Sequence, residues 1–120
     1  MSREVRHSEK LLIITISGRL DFSKLGREQR LMHENDELAG YSLLMDIRAA
    51  EVEHLSHDDT TAYAEVPHAP IPPKRIAILV SNDVQRATAQ SFITMRYFQK
   101  HYSPCKIFEQ LANALIWIKK

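Results

Sequence analysis

The densest group of side chains able to do chemistry in this chain is His54, His57, Asp58 and Asp59. Imidazoles beside carboxylates can hold a metal or move a proton, but zinc catalysis takes three protein ligands, usually a helical His pair and a more distant third. His54 and His57 straddle Ser56, the residue placed to cap a helix, and no third ligand follows from the spacing. Cys105 sits beside Lys106 with His101 nearby in sequence. A cationic neighbour lowers a thiol pKa, whereas a Cys opening a strand behaves as a small buried hydrophobe. The three glycines all precede position 41, and Gly18 lacks the companions of a dinucleotide-binding loop. No catalytic, cofactor-binding or metal-binding residue is assigned on these patterns. No cofactor is implied, and the chain reads as non-enzymatic.

The elements that would position such groups belong to a chain of 120 residues, the size of one domain with one core. A hydrophobic fraction of 44% and a charged fraction of 26% are those of a packed globular protein. The single cysteine and an opening MSREVRHSEK without an apolar secretion segment lead us to expect a reducing, cytoplasmic setting. The apolar runs LLIITI and IAILV are strand-sized, so no transmembrane segment is expected. The net charge of +1 conceals an asymmetry: residues 1–73 carry 8 Lys and Arg against 13 Asp and Glu, and residues 74–120 carry 8 against 2. That polarity suits contact between neighbouring elements, association of subunits or an acidic partner. Balanced overall charge and the lack of a recognition motif argue against nucleic acid.

Patterning predicts a strand over 3–8 and a β-branched strand over 11–17, joined as a hairpin and ended by Gly18. A helix is expected from Asp21 to about Leu38, capped by Asp21 or Ser23 and stopped by Gly40. Ser42 to Ile47 reads as a buried parallel strand. After a loop from Asp46, the SHDD run signals a short helix from Ser56 to about Val66, because a serine three residues before an acid forms a capping box. The proline-rich PHAPIPPK is a stiff connector. Arg75 to Val80 is another strand, Asp83 to about His101 a long helix, Cys105 to Phe108 a strand and Glu109 to Ile118 a closing helix. The expected class is α/β: one domain over 1–120, a mixed, mostly parallel sheet with an N-terminal antiparallel hairpin, and about four helices.

On the long helix, a wheel places Val84, Ala87, Thr88, Ser91, Met95, Phe98 and Tyr102 toward the sheet, with Phe92 at the margin. The opposite face then gathers Arg86, Ala89, Ile93, Arg96, Tyr97 and Lys100, an apolar centre with a basic border. Aromatics and Arg are enriched at interfaces, so Arg86, Ile93, Arg96, Tyr97 and Lys100 are the candidate protein contact.

The order of a KRIAIL strand after a proline-rich connector, a long helix and then KIFEQLANALIWI resembles the STAS-like, or SpoIIAA-like, superfamily related to bacterial anti-sigma-factor antagonists. Members end in a strand, a Phe and a helix of the form Ala-x-x-Trp-apolar, here Phe108, Ala114, Trp117 and Ile118. The resemblance implies a domain that works by protein contacts or self-association. In the antagonists a Ser or Thr after the central strand is phosphorylated, which makes Ser56, Thr60 and Thr61 the candidate switch. The local LSHDDTTA departs from the Asp-Ser-Ser-Gly context, and acids in the first turn would repel a phosphate. The superfamily also resembles lipid-transfer domains in topology. That implies, as the alternative, a small apolar ligand held near Phe22, Leu25, Met32, Met95 and Phe98, residues that equally suit a core.

Overall fold

A computed structural model describes residues 1–33, 36–56, 58–59, 73–97 and 103–120, with the backbone alone at 29–33, 36 and 95–97. Five strands form one sheet in the order β1 to β5. β1 (Ser2–Arg6) and β2 (Leu11–Arg19) make the antiparallel hairpin, and β3 (Ser42–Glu51), β4 (Ile76–Leu79) and β5 (Cys105–Phe108) follow in parallel. The described residues hold three α-helices: α1 (Phe22–His33), α2 (Asp83–Tyr97) and α3 (Leu111–Ile118). Of the expected helix from Ser56, Asp58 and Asp59 are helical and most of the rest lies outside the described residues.

Each parallel step, from β2 through β5, moves one place in the same direction across the sheet. Right-handed crossovers from β2 to β3 and from β4 to β5 then deliver α1 and α2 to one face. Leu25 of α1 with Ala89 and Phe92 of α2 accordingly meet Leu12, Ile14, Met45 and Ile78 in the larger core cluster. α3 precedes no further strand and covers the other face, where Ala114 and Ile118 meet Leu11, Leu44, Ala77 and Leu79. β4 is therefore buried on both faces, which is why it reads as an uninterrupted apolar run. Burying a side chain such as Leu44 or Leu79 contributes about 1.5–3 kcal/mol.

Two strand ends differ from expectation. β2 runs through Gly18 to Arg19, and β3 continues past Ile47 to Glu51. The cause is a register shift: Thr15 pairs with Asp46 but Ser17 pairs with Ala49, so β3 carries an extra residue and pairing then resumes. Gly18 does not end the strand; its φ of 73° lets the backbone turn within it. The hairpin closes through a 3-10 turn at His7–Glu9 and Lys10, whose φ of 51° is left-handed. α1 is described as far as His33, and a 3-10 turn at Asp36–Leu38 stands at the end of the expected helix, with residues 34–35 between them outside the described residues.

Candidate functional site

Open α/β sheets place their chemistry outside the carboxyl ends of the parallel strands. Among the described residues that edge carries a set of internal bonds. Asp46, at the β3 bulge, accepts from the Arg48 backbone amide at 3.1 Å and from the Arg48 guanidinium at 3.0 and 2.8 Å. Burial opposes ionisation of Asp46, but these hydrogen bonds and the adjacent positive charge outweigh it and hold the carboxyl below the usual carboxylate range. Gln85 of α2 is buried and donates through Nε2 to the carbonyls of Arg48 and Ala50 at 3.1 and 3.0 Å. Its Oε1 accepts from the Ser81 amide at 2.7 Å, and the Ser81 hydroxyl donates to the Arg48 carbonyl at 2.9 Å. The Asn82 side chain accepts the Gln85 amide at 2.8 Å and caps α2.

His54 is also occupied structurally: its Nε2 donates to the Leu20 carbonyl at 2.8 Å, tying the loop after β3 to the entry of α1. His57 lies outside the described residues, and among the described residues no three His, Cys, Asp or Glu side chains group as a metal site. Cys105 is half-buried and packs against the larger core cluster. Of the candidate switch residues, Thr60 and Thr61 lie outside the described residues. Ser56 forms a reciprocal capping box: its Oγ accepts the Asp59 amide at 3.0 Å, and the Asp59 carboxylate accepts the Ser56 amide at 2.9 Å. Hydrogen bonds to the Asp59 carboxylate from the Ser56 backbone and side chain hold it below its ordinary value.

The face expected on α2 is corrected. Gln85, Ala89 and Phe92 are the buried positions, Ile93 packs against the core, and Val84 and Ala87, expected inward, are exposed. The inward stripe begins at a polar residue, so a wheel phased on apolar side chains alone is rotated. Ile93 is thus no solvent-side centre, and Arg86 pairs with Glu109 just after β5. For Arg96 and Tyr97 the description ends at the backbone, and Lys100 lies outside it. Among the described side chains of the helices, the exposed large hydrophobics are Val84 of α2 and Leu111 and Ile116 of α3.

Phe22 and Leu25 do meet. They line an apolar cleft with Leu20, Met45, Ile47, Ile78, Thr88, Ala89 and Phe92, between α1, the sheet and α2. Its volume is about 30 Å³. That is room for a water or a methyl group and well short of the roughly 150 Å³ cavity that admits benzene. Met32 and Met95 are described at the backbone alone, and Phe98 lies outside the described residues.

Sequence reasoning missed Gln85. Its signal was present as Asn82 followed three residues later by Gln, the spacing of a helix-start box. On the face covered by α3, Trp117 packs on Phe108 at 5.6 Å between ring centroids, under the Arg75 guanidinium. Arg75 also donates to the Trp117 carbonyl at 2.6 Å and so fastens α3 to the start of β4. Among the described residues no helix is long and apolar enough to cross a membrane. Comparison with protein-family models, curated proteins and solved structures found no match.

Proposed function

We propose that this chain is a non-enzymatic, STAS-like interaction or regulatory domain that acts through contacts with a protein partner or a second copy of itself. The observation that carries the reading is the carboxyl edge of the sheet, where Asp46, Ser81, Asn82 and Gln85 each hold backbone in place. Side chains engaged in this way serve a scaffold. The element order, with a Trp-bearing last helix packed on Phe108, supports the STAS-like part of the proposal. For the contact itself, Leu111 and Ile116 put apolar surface on the outside of α3.

Native mass spectrometry and partner capture with the double variant Leu111→Asp, Ile116→Asp test this. Reduced self-association or loss of a captured partner, with an unchanged circular dichroism spectrum, is the expected result. A folded variant with unaltered oligomeric state and unaltered partners removes α3 from the proposal.

The cleft at Phe22 and Leu25 favours a second reading, a carrier or sensor of a small apolar ligand. A reproducible apolar adduct in the same native spectra supports it, and adduct-free spectra with no stabilisation by added apolar compounds count against it.

A further inference from the structure

We infer that α1 is a lid over the apolar cleft, opening locally while the sheet stays folded, and that Gly26 sets how readily it opens. The entry of α1 is fastened. Leu20 donates its amide to the Glu51 carbonyl at 3.0 Å and accepts from His54 at 2.8 Å, and the Asp21 carboxylate accepts the Ser23 amide at 2.9 Å. Beyond that anchor, the first half of α1 buries Leu25 and Gly26, with Phe22 partly covered. Gly26 thus lies on the inner face, yet no described atom comes within 4 Å of where a Cβ would stand. Its φ is not positive. Neither backbone conformation nor crowding therefore calls for glycine there, while glycine in a helix interior is the residue that most loosens it short of proline.

An under-filled inner face on a weakened helix, held at its entry and by the Arg3–Glu28 ion pair at 3.5 Å and lying directly over a cleft of about 30 Å³, makes α1 the element whose displacement enlarges that space. The identity of the occupant rests on the ligand reading above; the local opening does not.

Hydrogen exchange on the full chain, as wild type and as Gly26→Ala, tests the lid. Amides of residues 25–28 are expected to exchange faster than those of β3 and β4, and Gly26→Ala is expected to slow them about two- to fivefold. Protection of α1 equal to that of β3 and β4 would mean that α1 opens only with global unfolding and would overturn the lid; an unchanged α1 rate in Gly26→Ala would overturn the role of Gly26. Benzene, titrated into both proteins and followed through the methyl resonances of Met45, Ile47 and Ile78, separates the two ideas. Shifts at these methyls that develop more slowly in Gly26→Ala support lid and ligand together. Absent shifts alongside fast α1 exchange uphold the lid and sink the ligand reading.

Discussion

Asp46 and Gln85 show how differently single residues announce themselves. Asp46 lies inside the run SLLMDI as its one carboxylate, and the bulge brings Arg48 round to bond it through both backbone and side chain. Its pKa is depressed on folding, so its contribution to stability is present above the ordinary carboxylate value and is lost as pH falls through the lower folded value. Asp46→Asn is therefore expected to be less stable than wild type at about pH 7, with the gap narrowing below about pH 4. Urea midpoints of the two proteins at neutral and acidic pH read this directly, and a gap independent of pH would assign the loss to shape, not charge. Gln85 drew no reading from the sequence. Its burial became visible only once Arg48, Ala50 and Ser81, more than thirty residues apart in sequence at the extremes, were placed around it.

At the scale of elements, strands were more legible than helix faces. β5 stands where its four residues predict, and β4 is two residues shorter than the strand expected from Arg75 to Val80. α2 was recognised as a helix while its inward side was misjudged, since Gln85 occupies the first buried turn. The join between β3 and α2 depends on that side chain. Gln85→Leu keeps the size but removes the acceptor of the Ser81 amide and the donor to the Ala50 carbonyl, while the Arg48 carbonyl keeps the Ser81 hydroxyl, and the expected loss is about 2–4 kcal/mol. Chemical denaturation measures it, and a change under about 0.5 kcal/mol would show that water replaces the amide well. The capping box at Ser56 and Asp59 was readable because both partners lie within one helical turn.

Among the described helices, α1 and α2 share one face of the sheet and α3 packs on the other. α3 approaches through Ala114 toward a surface that includes Ala77, both fully buried. Enlarging that contact with Ala77→Leu is expected to lift α3 and lower stability by about 1–3 kcal/mol. The thermal midpoint and the near-ultraviolet circular dichroism of Trp117 report it; an unchanged Trp117 signal would mean that α3 does not sit as tightly as its buried alanines imply. The sequence by itself determined the α/β class, the order of strands and helices and the buried strand segments, because backbone propensity, caps and hydrophobic period act over a few neighbouring residues. Tertiary structure alone decided the β3 bulge, the phase of α2, the engagement of His54 and Gln85 with distant carbonyls, and the cleft that gathers Phe22, Leu25, Met45, Ile78 and Phe92. Each depends on a partner far along the chain, and such contacts form only after the crossovers have set the sheet order.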